Sequence, residues 1–267
     1  MSQKIEPAVD SEATAIEQSG IARVIPSKTL DKFACFRWIA LAVNDFKNAK
    51  LISFTYGAIF TALPLAIYFL VLATEWHLVI FPAMIAFMLL GPFLAAGLYD
   101  VAWQFEKKNK PSFRHSIKAM SRNAVNEWGF GILLMILMIF WLRVASLIHA
   151  LYPPYLEFSI GNAWQFLLLG TIVGVGFTTL VYFITAFTQP ILLERRVDLA
   201  TAVLTSMNAV WKNKLPMFIW ACVIVFSVFL GFVTYFAAFL VIMPIIGYAS
   251  WHGYIATIET KRARNFE

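Results

Sequence analysis

Five long apolar runs dominate the chain, at residues 51–73, 78–103, 128–151, 163–193 and 215–258, with short polar segments between them. About 20 mostly apolar residues cross a bilayer as a helix, so every run passes the length test. The last is too long for one crossing. No Asp, Glu, Lys or Arg interrupts it, and as a single helix it would reach about 66 Å, roughly twice the hydrocarbon thickness. It is expected to fold back near 231–236, where Gly, Thr and Tyr break the aliphatic run. Six transmembrane helices follow. Nothing alternates in polarity as the strands of an outer-membrane barrel do, and backbone groups in lipid must then be satisfied within helices. The fold class is all-α, a polytopic membrane protein.

Three segments between the spans are helical by pattern but too polar to cross: 29–48, 112–126 and 198–213. In the third, Ala202, Val203, Leu204, Met207, Val210 and Trp211 recur at spacings of three and four, which places them toward one face. Such a helix can lie in the cytoplasmic interface with its basic residues toward headgroups, or pack against the bundle; the pattern suits both. Self-similarity joins these segments to the spans. Phe46-Lys47-Asn48-Ala49-Lys50-Leu51 resembles Trp211-Lys212-Asn213-Lys214-Leu215, and Pro92, Tyr99, Glu106 and Lys107 answer Pro244, Trp251, Glu259 and Lys261. A weaker middle copy runs through 112–128 to Gln189-Pro190. The expected organisation is three tandem hairpin units, 28–106, 111–197 and 198–258, each opened by a cytoplasmic amphipathic helix. A polar, unstructured tail over 1–27 and a basic tail over 259–267 flank this single transmembrane domain.

Composition strengthens the membrane reading. Hydrophobic residues make up 60% and charged residues 13%, against about 45–50% and about 25% in soluble domains; mean hydropathy is +0.73. The net charge of +6 does not point to nucleic acid, because the cations are spread over loops between apolar runs rather than gathered on one polar domain. Of the 21 Lys and Arg residues, all but Arg143 fall on one side of a six-span arrangement. Positive residues stay cytoplasmic, so both termini are expected inside. The first 25 residues lack the basic and apolar regions of a signal peptide. Cys35 and Cys222 suggest neither a disulfide framework nor a metal site.

Candidate functional positions are few. Pro92, Pro190 and Pro244 lie in even-numbered spans, where each removes a helical hydrogen bond and favours a kink; such kinks can hinge a helix or open a cavity, or simply shape the bundle. Asp100, eight residues after Pro92, is the most membrane-proximal acid, expected to reach the headgroups or pair with Arg114 or Lys118. His252 occupies the matching position after Pro244. Gly170 and Gly174, with Gly176, form a small-residue face suited to close helix packing. Glu75, His77, Arg143, His149 and Glu157 would lie at the outer surface as a small polar cluster. No GxxxxGK[ST], HExxH or GxSxG motif occurs, so no catalytic residue, metal or cofactor is expected.

The stretch 81–106, with Leu90-Gly91-Pro92-Phe93-Leu94-Ala95-Ala96-Gly97-Leu98-Tyr99, has a recognisable character. So has Gln189-Pro190-Ile191-Leu192-Leu193-Glu194-Arg195-Arg196-Val197-Asp198, continuing through Ala202, Ser206, Ala209-Val210 and Asn213, and so has 244–254 with Gly247, Trp251 and His252. Together, over about 24–254, they resemble the bacterial integral membrane proteins grouped as domain-of-unknown-function family 2189, found mainly in proteobacteria. The resemblance implies the inner membrane and brings no activity or catalytic residue with it.

Three functions are open to such a chain. A non-enzymatic component or scaffold would work through the lipid bilayer and contacts with other membrane proteins or itself. A small transporter or channel would place Asp100, His252 and the prolines around one wet cavity. A membrane enzyme would need polar groups that the sequence does not offer.

Overall fold

The computed structural model describes residues 24–74, 80–120, 124–151 and 160–259. These form ten helices: α1 Ala34–Asn48, α2 Lys50–Thr74, α3 Ile80–Glu106, α4 Phe113–Met120, α5 Ala124–Ala150, α6 Ile160–Thr185, α7 Thr188–Glu194, α8 Leu199–Lys212, α9 Lys214–Val233 and α10 Phe239–Thr257. No strand occurs among the described residues; an isolated antiparallel bridge joins Ser27 to Ile258. Five helical stretches are long and apolar enough to cross a membrane, within α2, α5, α6–α7, α9 and α10. The 27-residue α3 has comparable apolar character, giving five to six candidate spans.

The 215–258 run folds back as its length demands. The turn occupies 234–238, where Tyr235 and Phe236 take positive φ of 50° and 67°. The Phe236 amide donates to the Gly231 carbonyl over 2.7 Å. A Cβ on Gly231 would lie 1.9 Å from the Phe239 ring, so glycine is what lets the returning helix close on the outgoing one.

The core sits toward the end of the bundle where the shorter helices lie. There α3, α7 and α10, which carry Pro92, Pro190 and Pro244, contact one another, while α1 packs on α10, α4 on α3, and α8 on both α6 and α7. Each short helix offers a narrow face. On α1, Cys35, Trp38, Ala42 and Asp45 are buried, at spacings of three and four that trace one helical stripe. On α8 the buried face is Thr201, Ala202, Thr205, Ser206, Ala209 and Val210. That corrects the sequence-derived face: Ala202 and Val210 are inside, but Leu204 and Trp211 are exposed. Small and hydroxyl side chains let α8 approach the bundle closely, leaving its bulkier apolar groups outside. Away from this end the helices separate, and Tyr68, Phe69 and Leu72 of α2, Leu167, Ile172 and Val175 of α6, and Phe226 and Phe229 of α9 are exposed.

Candidate functional site

Proline has different consequences on the three central helices. Pro92 and Pro244 lie inside continuous helices. Pro190 follows a true break: the fourth span stops at Thr185, turns through Ala186 and Phe187, and restarts as α7. The Phe187 amide is satisfied by Ser206 Oγ of α8 at 3.1 Å, and Ser206 in turn donates to the Phe183 carbonyl at 2.9 Å. Pro190 sits in the first turn of α7, where a missing N–H costs nothing. The break turns a chain exposed along α6 into a segment, Thr188 to Leu193, that is buried at every residue.

Two carboxylate–imidazole pairs flank this centre. Asp100 on α3 is 1% exposed, and its Oδ2 stands 2.7 Å from Nδ1 of His115 on α4. Gln104, one turn on, donates to the same oxygen at 2.8 Å while its own Oε1 accepts the Ser112 amide at 2.8 Å. The Trp103 indole stacks on the His115 ring at 5.7 Å and 9°. Neither Arg114 nor Lys118 is the partner expected for Asp100; the α3–α4 turn brings His115 against it instead. In the second pair, Nε2 of His252 on α10 stands 2.7 Å from Oδ2 of Asp45 on α1. Asp100 and His252 each follow a buried proline by eight residues, so the two pairs exchange acid and base between central helix and short helix.

Further polar contacts lock the same region. Gln189 donates to Glu127 Oε2 at 2.7 Å, Ser53 and Tyr248 share a hydrogen bond of 2.8 Å, and Tyr56 and Ser116 share one of 2.7 Å. The Trp251 indole donates to Glu106 at 3.3 Å, the Tyr254 hydroxyl to Glu194, and Arg195 to the Glu259 carbonyl. Asp45, His115 and Glu127 escaped the sequence reading, and Gln189 was marked there only as part of the Gln189-Pro190 step. Asp45 left a trace, as a lone acid on the stripe of Cys35, Trp38 and Ala42; the other three are polar residues whose partners lie on different helices. No group of three or more His, Cys, Asp or Glu able to hold a metal is found among the described residues.

The glycines also redistribute. A Cβ on Gly170 would meet nothing within 4 Å, and one on Gly174 would meet only the Trp141 ring, at 3.3 Å. Within one chain this face does not bring two helix backbones together, which corrects the expectation for it. Gly57 does: a Cβ there would lie 2.0 Å from the Leu240 carbonyl oxygen of α10. Arg143 and His149 are exposed on α5, while Glu75, His77 and Glu157 lie outside the described residues.

Comparison with known families finds a match to the middle of the chain. The family model of DUF2189, predicted integral membrane proteins, covers residues 80–194. The DUF2189 stretch begins at the first residue of α3 and ends at the last residue of α7, so it takes in Pro92, Pro190, the Asp100–His115 pair and the Glu127–Gln189 contact. It is narrower than the resemblance drawn from the sequence, and 244–254 with His252 falls beyond it. No curated protein and no solved structure matches the chain. The protein is an integral membrane protein with several apolar helices.

Proposed function

We propose that the protein is a non-enzymatic component of the bacterial inner membrane that engages other membrane proteins, or a second copy of itself, within the bilayer. One observation carries this reading: Asp100 and Asp45, acids of the helical bundle, are buried and each closed against an imidazole, His115 and His252. Asp100 is buried, His252 half-buried, and Pro92, Pro190 and Pro244 all buried. Grooves of about 550, 510 and 460 Å³ lie elsewhere, and none of these five residues lines them. Apolar side chains are presented along the outer lengths of α2, α6 and α9, beyond what packing within the chain uses.

The same reading takes the chain as six spans in three tandem hairpin units with both ends in the cytoplasm. Three observations support it. The short helices α1, α4 and α8 each cover one proline-bearing span, residues 24–30 bond to 257–259 at the far end of the chain, and six spans would put every Lys and Arg but Arg143 on one side. Reporter tags at the two ends, one fluorescent only in the cytoplasm, test the orientation; a periplasmic signal from either end removes it.

Single cysteines at Pro92, Asp100, Pro190, Pro244 and His252, in a background lacking Cys35 and Cys222, test the closed centre. Protection from a water-soluble maleimide at all five is expected. Labelling at several would instead favour a small transporter or channel, a second reading supported by the two acid–imidazole pairs, in each of which Asp100 or His252 follows a helical proline by eight residues, a pattern suited to moving a proton. In-membrane crosslinking from the exposed face of α6 would then identify the partner of a closed bundle.

A further inference from the structure

Where α2 enters the membrane, two cavities meet. The first, of about 550 Å³, is lined by Asn48, Lys50, Lys108, Asn109 and Lys110 among others. It lies between the start of α2 and the loop that follows α3. Three of its lining residues are lysines and none is acidic. Lys108 holds a left-handed backbone, φ 57°, a position that glycine or asparagine usually fills at a helix end; here it carries a cation. The second cavity, of about 510 Å³, is lined by Leu51, Phe54, Thr55, Ala58, Ile59 and Ala62. These recur at three and four residues, all on α2, and so form one shallow, open stripe along its face into the span. Leu51 lines both, so the two adjoin, lysine-lined at the start of α2 and apolar along it.

That sequence of chemistries, positive then apolar along the bilayer normal, is the shape of an anionic glycerophospholipid. We propose that the Lys50–Lys108–Lys110 cradle and the α2 stripe bind one such lipid, its phosphate among the lysines and an acyl chain along Phe54, Ala58 and Ala62. Basic pockets beside transmembrane helices recognise anionic headgroups in this way. A related arrangement at the start of α9 supports the assignment. A groove of about 460 Å³ there is lined by Tyr182, Lys214, Met217, Phe218, Ala221 and Val225, with the Lys214 ammonium 3.8 Å from the Trp211 ring centroid. Lys50 and Lys214 open the two spans whose preceding residues are alike, and Phe54 and Phe218 each follow their lysine by four. The site stands whether the protein is a scaffold or a transporter.

The test uses the full chain in phosphatidylcholine nanodiscs doped with a phospholipid carrying a photoactivatable diazirine in its acyl chain. Phosphatidylglycerol bearing the probe is expected to label residues 51–62 roughly tenfold more than phosphatidylcholine bearing it. K50Q/K108Q/K110Q is expected to lower that to the phosphatidylcholine level, and K50R/K108R/K110R to keep it. Ala58→Phe, on an exposed position, is expected to block labelling of the stripe by either lipid without lowering the melting temperature. Equal labelling by the two lipids, or an undiminished signal from the glutamine variant, would overturn the assignment. So would loss of phosphatidylglycerol labelling on adding inorganic phosphate at matched ionic strength, which would mark a site for free anions.

Discussion

Gly57 and Gly170 are both glycines of apolar helices, and their surroundings make opposite demands. A methyl on Gly57 would press into the Leu240 carbonyl, whereas one on Gly170 would meet nothing. Overpacking a tight contact costs about 1–3 kcal/mol, so Gly57→Ala should lower the detergent melting temperature clearly while Gly170→Ala leaves it unchanged or slightly raised. An equal response from the two would contradict the close approach of α2 and α10. The Asp45–His252 pair makes a second demand at this scale. Removing His252 leaves a buried carboxylate short of its partner, at a cost of roughly 1–3 kcal/mol. A double-mutant cycle with Asp45→Ala should then show non-additivity, because the second deletion has little left to break.

At the scale of elements, the ends of helices do much of the positioning. Asp198 caps α8 by accepting from the Thr201 amide at 3.0 Å. Its side-chain and backbone hydrogen bonds with Thr201 hold the Asp198 carboxyl below its ordinary value. A lowered carboxylate contributes stability that is complete above the unfolded value, near 3.9, and is lost as pH falls through the native one. Asp198→Ala should therefore cost about 0.5–2 kcal/mol at neutral pH, and Asp198→Asn less. The difference between wild type and the asparagine variant should shrink below about pH 4, which chemical denaturation followed by α8 hydrogen exchange would measure. The break at Ala186–Phe187 is a different kind of ending: Ser206 of another helix receives the interrupted backbone, so its loss should loosen α7 against α8 rather than straighten the span.

For the whole molecule, backbone bonds between residues 26–28 and 257–259 make a long-range tie outside the helices. The Lys28 amide donates to the Thr257 carbonyl at 2.7 Å, and the Glu259 amide to that of Pro26 at 3.1 Å. Asn213 accepts the Leu30 amide at 2.7 Å and donates to the carbonyls of Lys28 and Ala209 at 3.0 and 3.1 Å. Residues 24–27, assigned from the sequence to a free tail, are thus part of the fold. The chain lacking residues 2–23 is the reference for this tie, compared by melting temperature in detergent. Extending the deletion to residue 30 should lower it, because a buried asparagine and a helix end lose their partners together. An unchanged melting temperature after the longer deletion would place the tie elsewhere.

Membrane residence, helical class and the fold-back of 215–258 followed from the sequence, because they depend on apolar run length and on the need of every backbone amide in lipid for a local partner. The prolines and the 189–198 segment were also visible as features, but Asp100, expected near the headgroups, is buried. Which groups meet was not. His115 against Asp100, Asp45 against His252 and Gln189 against Glu127 join different helices, and no periodicity within one helix encodes a partner on another. The same reason moved close packing from Gly170 and Gly174 to Gly57, and turned α8 by about one position. A glycine's or a hydroxyl's role depends on what stands opposite, and only the packing of α3, α7 and α10 decided that.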